Sequence, residues 1–372
     1  MIRLGILSSS RADFGIYQPL IEKLKDDNRF SMEIIAFGTH LSPYHGHTLN
    51  MIEDLGLTSI KRVYGMPLAD TPEAIANAYG LLVSNFSQFW GTHHYDWVLA
   101  LGDRFEMSAA VQAGIPLQIR FAHLHGGETT LGAIDNIYRH QITLASSMHF
   151  VATETFAHRV LAILSQSEKV YCVGALSLDG IKNMELPPWS EVAASLELPE
   201  HEPFVLATFH PETVEHEHNK YYSEVAANVL LHLALAQKQN VVITMPNADS
   251  AGSVFRKAFQ QIQASLPEKI FLIENFGKAR YFAAMKQASI LIGNTSSAIV
   301  EAASFNKYAV NVGNRQLGRA QSLNIFNVPF DTEGILNCCY DALKLGLYSG
   351  DNIYYKPNAA EAIINYLANA KL

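Results

Sequence analysis

The sequence predicts an α/β protein made of two doubly wound parallel domains, and three observations carry that expectation. The chain has 372 residues, more than a single hydrophobic core ordinarily serves. Short apolar runs alternate with segments of helical periodicity along nearly all of it, the pattern of a parallel sheet with helices on both faces. Between residues 174 and 203 the alternation stops, in N-M-E-L-P-P-W-S and L-P-E-H-E-P, which are rich in proline and acid and carry no strand. That stretch reads as the interdomain connection, dividing the chain into domains 1–175 and 176–372.

In the first domain, residues 2–7 form an apolar run. The polar turn S-S-S-R-A-D-F-G follows, then Ile16, Leu20 and Leu24 at helical spacing. Strand, loop and helix repeat through strands expected at 32–37, 97–101, 117–122, 148–151 and 170–173, with a helix expected at 72–89. Arg11 follows the first strand, and Asp103 and Arg104, in L-G-D-R-F-E, follow the strand at 97–101. The carboxyl ends of parallel strands are where such sheets bind ligands, and arginines there suit phosphate.

The stretch 123–140, H-L-H-G-G-E-T-T-L-G-A-I-D-N-I-Y-R-H, concentrates the chemistry. It gathers three histidines, two acids, an arginine and three glycines in a strand-to-helix loop. Gly126-Gly127 permits a tight turn. Ile134, Tyr138, Ile142 and Ala145 then recur at helical spacing, which puts Asp135 in the first turn and Arg139 one turn behind it.

The second domain resumes with strands expected at 204–209, 241–244, 270–273, 290–292 and 309–312. His210, in F-H-P-E-T, closes its first strand. In I-L-I-G-N-T-S-S-A-I-V-E, Asn294 or Thr295 can cap a helix whose free N–H groups, with the hydroxyls of Ser296 and Ser297, suit a diphosphate. Glu301 shares that helix face and could accept hydrogen bonds from a ribose. The run 212–218 reads as a solvated loop. An amphipathic helix at 359–372 ends the chain. Two open sheets in one chain imply a cleft between them.

Other classes are disfavoured. No G-x-G-x-x-G follows the first strand and no P-loop motif occurs. A formal charge of -8 and a pI near 6.0 argue against general nucleic-acid or membrane-surface binding. Cys172, Cys338 and Cys339 form no disulfide framework and match no zinc spacing, which suits a reducing cytosol. His123-x-His125, His93-His94 and the histidines of 210–218 lack four-ligand zinc spacing, so no metal is expected. The N-terminal apolar run is too short for a signal peptide and no segment approaches a membrane span. The expected location is the cytoplasm.

The ordered set S-S-R-A-D-F-G, F-G-T-H-L-S, L-G-D-R-F-E, H-G-G-E, I-D-N-I-Y-R-H, F-H-P-E-T, M-P-N-A-D, N-F-G, G-N-T-S-S-A-I-V-E and V-G-N-R-Q-L-G-R resembles the hydrolysing UDP-N-acetylglucosamine 2-epimerase family. The resemblance implies the GT-B, glycogen-phosphorylase-like glycosyltransferase fold: two Rossmann-like domains about a central cleft, with 357–372 crossing back to the first. It implies UDP binding by Arg11, Ser296, Ser297, Glu301 and Arg315, with His210 near the diphosphate. His40, Arg104, Arg139, Asn247 and Phe276 join the substrate-binding set. Asp103, His125, Glu128 and Asp135 form the catalytic set, and the family implies no cofactor and a homodimer.

The sialic-acid branch carries an acid in H-I-E-G-G-E where this chain has His125. H-G-G-E-T-T-L-G-A-I-D-N resembles instead the legionaminic-acid branch, which acts on UDP-N,N'-diacetylbacillosamine. The implied reaction eliminates UDP through a glycal and adds water with inversion at C2. Because the C2 proton is not acidic, departure of UDP must create oxocarbenium character before or as a base takes it. A UDP-N-acetylglucosamine 2-epimerase yielding N-acetylmannosamine for sialic acid is the alternative. A GT-B glycosyltransferase and a non-catalytic nucleotide-sugar sensor are further readings.

Overall fold

The computed structural model describes all residues except 43–47, 57–58, 66–70, 130–133, 166–168, 213–215, 238, 247–251 and 371–372. The chain separates into two compact units. The first comprises Met1–Glu128, Ile134–Gly180 and Tyr354–Leu372, and the second Thr129–Ala133 and Ile181–Ile353.

The first unit runs β1 (Ile2–Ser8), α1 (Arg11–Lys25), β2 (Phe30–Ala36), α2 (Asn50–Glu53), β3 (Ile60–Arg62), α3 (Pro72–Thr92), β4 (Trp97–Leu101), α4 (Phe105–Gly114), β5 (Phe121–Leu124), α5 (Asp135–Ala145), β6 (Ser146–Val151), α6 (Glu154–Leu164) and β7 (Val170–Cys172). These strands form one sheet in the order β3-β2-β1-β4-β5-β6-β7. Every pairing in it is parallel, so every βα loop opens on the same edge. The sheet is buried on both faces: all five residues of β4, W-V-L-A-L, are buried. Such strands read as continuous apolar runs rather than alternating ones.

Helix α3 shows how local sequence sets an element. Thr71 caps it by accepting from Ala74 N, Pro72 opens its first turn, and Ala78, Leu82, Phe86 and Trp90 recur every fourth residue on the buried face. Trp90 is anchored by donating Nε1–H to the Ala110 carbonyl over 2.9 Å.

The second unit runs α7 (Trp189–Ser195), β8 (Phe204–Thr208), α8 (Asn219–Ala236), β9 (Asn240–Thr244), α9 (Gly252–Ser265), β10 (Ile270–Ile273), α10 (Lys278–Gln287), β11 (Ile290–Gly293), α11 (Ser296–Val300), β12 (Ala309–Val312), β13 (Ile325–Val328) and α12 (Thr332–Leu345). Its strands order as β10-β9-β8-β11-β12-β13, again all parallel. The last helix, α13 (Ala359–Asn369), belongs to the first unit. Its Ala360, Ile363, Ile364 and Leu367 complete that unit's core, and Tyr366 stacks on Tyr171 with ring centroids 3.7 Å apart. No described helix is long and apolar enough to cross a membrane.

The expected fold class is the one observed, with local corrections. The strand expected at 117–122 starts later, at Phe121, because Ile115–Leu117 form a 3-10 turn closed by Gln118 in the left-handed region at φ 55°. His123 therefore lies inside β5 and is fully buried, and the functional loop begins at His125. Strands β3 and β13 were not expected, being short and interrupted by polar residues.

Candidate active site

The first unit brings most of the expected catalytic residues onto the carboxyl edge of its sheet. β4 ends in a turn through Gly102, at φ 75°, which presents Asp103. β5 ends at Leu124, and His125 follows in the left-handed conformation at φ 63°. Gly127 must be glycine: a Cβ there would lie 2.4 Å from the Phe156 carbonyl oxygen. That turn folds Glu128 back under its own loop, where His125 Nδ1–H donates to Glu128 Oε1 over 2.6 Å. Among the described residues His125 Nε2 has no partner.

Helix α5 closes the group from the other side. Arg139, only 2% exposed, donates to the Asp103 carboxylate and to the His125 carbonyl at 2.8 Å. Its Nη1 lies 3.7 Å from Glu128 Oε2. Asp135 opens the helix but does not cap it: the N-cap is Ile134, with no side-chain cap bond. Burial, and next the negative charge of Asp103, push the Asp135 carboxyl above the usual carboxylate range. Asp103, by contrast, is paired with the Arg139 guanidinium.

Behind this layer, His123 Nε2–H donates to the Gly102 carbonyl at 2.8 Å, and its Nδ1 meets Thr143 Oγ1 at 3.1 Å. Burial lowers its pKa to about 3. The ring is a neutral strut under the Asp103 turn, not a loop residue.

The β1 and β2 loops share that edge. Arg11 is exposed at the start of α1. The turn before it is held by Asp13, which accepts from Ser9 N at 2.9 Å and Ser9 Oγ at 2.6 Å. His40 is fully buried, with Nε2 against Ser8 Oγ at 2.9 Å and Nδ1 against Thr48 Oγ1 at 2.8 Å. Burial lowers its pKa to about 4. Both its nitrogens are thus committed to the protein. Arg104 pairs with buried Glu106 at 2.8 Å.

The second unit has its own polar edge. Gly293, at φ 140°, ends β11 where a Cβ would stand 1.8 Å from the Thr208 carbonyl oxygen. Asn294 follows and locks the β8 loop to the β11 loop: His210 N–H donates to its Oδ1 at 2.7 Å, and its Nδ2 donates to the His210 carbonyl at 2.8 Å. The Asn294 carbonyl accepts from Arg315 Nη1 at 3.3 Å and Gln316 Nε2 at 2.9 Å. Thr295, as one of the two expected caps, accepts from Ser297 N at 3.4 Å. Ser296 is left exposed at the head of α11. Burial, with the nearby Arg315 charge, lowers the His210 pKa to about 4, so it acts as a neutral ring.

Three residues on this edge escaped the sequence reading. Glu212, expected in a solvated loop, is 6% exposed and accepts from Arg315 N at 3.1 Å. Asn294, the other of the two expected caps, is instead a loop staple. Tyr281 hydrogen-bonds the Ser297 and Thr208 side chains and feels the Glu301 charge, while burial raises its pKa. Phe276 is buried against the Tyr281 ring, centroids 6.0 Å apart. Asn247 lies outside the described residues. Among the described residues no group of three potential ligands is arranged for a metal ion.

Two doubly wound parallel sheets, each presenting glycine-containing turns and charged side chains at its carboxyl edge, define the GT-B class of fold. The chain belongs to the UDP-N-acetylglucosamine 2-epimerase family, whose model matches residues 22–368, and it is an enzyme of that family. It is 32% identical over 326 residues to a GDP/UDP-N,N'-diacetylbacillosamine 2-epimerase (hydrolyzing) of Campylobacter jejuni, covering 87% of this chain and 84% of that one. It is 30% identical over 374 residues to the UDP-N,N'-diacetylbacillosamine 2-epimerase (hydrolyzing) of Legionella pneumophila, covering 100% and 97%. In fold it is similar to the crystal structure of the Neisseria meningitidis UDP-GlcNAc 2-epimerase bound to UDP-GlcNAc. The TM-score is 0.82, with 17% identity and 100% of both chains covered.

Proposed function

We propose that the protein is a hydrolysing 2-epimerase that takes UDP-N,N'-diacetylbacillosamine and water to UDP and 2,4-diacetamido-2,4,6-trideoxymannose, for legionaminic acid synthesis. The observation that carries this reading is the His125–Glu128 pair beside Asp103 and Asp135. It gathers an imidazole and carboxyl groups, the residue types of acid–base work, on one sheet edge, and relatives at 30–32% identity bear that enzyme's name.

In this reading residues 1–175 rework the sugar and residues 176–372 hold UDP, with 357–372 crossing back to the first domain. Arg11, Arg104, His210, Asn247, Phe276, Ser296, Ser297, Glu301 and Arg315 contact the nucleotide-sugar. Their charges, hydroxyls and free helix N–H groups stabilise the departing diphosphate. As the C1–O bond to UDP breaks, positive charge spreads over C1 and the ring oxygen, facing the Asp103 carboxylate. His125 Nε2 then removes the acidified C2 proton, leaving a C1=C2 glycal, and Glu128 holds the imidazolium that results. Protonation at C2 on the opposite face, with Asp135 as the donor, and addition of water to C1 complete the inversion. No cofactor enters the balance. The enzyme works in the cytoplasm as a homodimer.

The test is incubation with UDP-N,N'-diacetylbacillosamine or UDP-N-acetylglucosamine in D2O. The expected product is a free manno-configured diacetamido sugar with one deuterium at C2. Preferential turnover of UDP-N-acetylglucosamine would reassign the substrate. Release of a sugar with C2 unchanged and unlabelled would remove the epimerase reading altogether.

A further inference from the structure

We infer that Arg139 is a positioning residue: its buried guanidinium clamps the Asp103 carboxylate, the His125 backbone and Glu128 into one arrangement, and it does not contact substrate. An arginine that receives a phosphate presents its fork to solvent. Arg139 is 2% exposed and spends both terminal nitrogens on the protein, Nη2 on Asp103 and Nη1 on the His125 carbonyl at 2.8 Å. Its Nε is buried, with no hydrogen-bond partner among the described residues, so neither terminal nitrogen nor Nε is exposed to solvent.

The three groups it joins come from separate elements. Asp103 follows β4, His125 and Glu128 follow β5, and Arg139 itself is in α5. His125 needs such a clamp, because a residue other than glycine at φ 63° sits in a sparsely populated region and persists only when its surroundings fix it. Anchoring its carbonyl fixes the direction of its side chain. The planar fork spans two acceptors at once, a geometry that lysine's single ammonium does not reproduce.

The clamp also sets the local charge. Asp103, His125, Glu128 and Asp135 all face it, and His123 and His140 feel its charge from further off. A cation beside an imidazole disfavours a second positive charge. Removing it takes a positive charge away from the His125–Glu128 pair, so the ring should bind its proton more tightly.

The kinetic arms of the test rest on the epimerase reading, whereas an NMR titration of the His125 imidazole does not. Arg139→Lys should cut kcat about 100-fold through misplacement of the base, leaving KM and UDP affinity unchanged and the pH profile close to wild type, since the charge survives. Arg139→Ala should lose as much, move the acidic limb of kcat to higher pH, raise the His125 imidazole titration, and recover turnover with added guanidine. Should Arg139→Ala fail to fold, the split between kcat and KM in Arg139→Lys decides alone. Wild-type kcat in Arg139→Lys overturns the clamp, and a loss seen mainly in KM and UDP affinity overturns it and makes Arg139 a substrate ligand. If the wild-type protein turns over neither UDP-sugar, the functional reading fails, and an unmoved His125 titration in Arg139→Ala would then overturn the clamp separately.

Discussion

His125 and Glu128 meet at 2.6 Å across a single turn of backbone, Nδ1 to carboxylate. A carboxylate in that position selects the imidazole tautomer with the proton on Nδ1 and leaves Nε2 basic, the same division of labour that an acid performs beside a catalytic histidine elsewhere. In the proposed reaction, the acid three residues after His125 is what lets the histidine accept a proton.

Replacing Glu128 with glutamine keeps the shape and removes the charge. Glu128→Gln should lower kcat about 100- to 1,000-fold, because an amide does not stabilise the imidazolium. His125→Ala should lower it at least as far. UDP affinity, measured by calorimetry, should stay near wild type in both. Turnover within a few-fold of wild type in either variant would take the base out of this loop.

Asp135 offers a prediction in which activity and stability move in opposite directions. An acid whose folded pKa is raised destabilises the fold at pH values above it, and that deficit vanishes as pH falls through the raised value. Burial and Asp103 raise Asp135. Asp135→Asn should therefore have a higher Tm than wild type at pH 7, by a few degrees, with the two melting curves converging as pH falls toward 4. Its kcat should drop about 100-fold or more, since an amide donates no proton. A lower Tm at pH 7 would show that the carboxylate is stabilised by partners rather than strained by burial.

The sheets, their parallel direction and most loop positions were legible because buried strands leave continuous apolar runs that polar, glycine-containing turns interrupt. What stayed hidden was set by packing across the chain. His123 looks equivalent to His125 in H-L-H, yet a 3-10 turn several residues upstream shifts the strand start and buries it. Glu212 sits in a histidine-rich, charged run and reads as solvated; its burial follows from the Asn219 side chain, which accepts from Glu212 N at 2.8 Å. Tyr281 carried no signal, because its hydroxyl is aimed by α10 at residues of β8 and α11. The motifs pointed to the family; they did not reveal that His40 and Arg139 face inward.

Asn294 is the residue on which the joined β8 and β11 loops of the second unit depend. Its side chain pairs with both backbone groups of His210, and its carbonyl docks Arg315 and Gln316. Asn294→Ala leaves a buried donor and acceptor unmatched, which should cost about 2–4 kcal/mol of stability. UDP binding should weaken about tenfold as the His210 loop loosens, a loss of about 1.4 kcal/mol. Urea unfolding and calorimetric titration read the two effects, and unaltered UDP affinity in a destabilised variant would separate the staple from the binding site.

The buried histidines make a prediction about acid. His40, His123 and His149 are at most 1% exposed, and burial lowers them to about 4, 3 and 4 from an ordinary value of 6.5. In the unfolded chain each takes a proton as pH falls below 6.5, while in the fold it does not. Stability is thus complete above that value and declines as pH drops toward 4, by about 1.4 kcal/mol per pH unit for each ring. Asp13 and Asp135, both raised by burial, act in the opposite sense but are outnumbered by the lowered histidines. Between pH 6.5 and 5 the histidines should dominate, and the urea midpoint should fall steeply across that window while activity is regained on return to pH 7. With His210, also lowered to about 4, four rings contribute, so His149→Gln should make the decline about one quarter shallower. An equally steep decline in that variant would mean that His149 is already protonated in the fold, or that other groups drive acid unfolding.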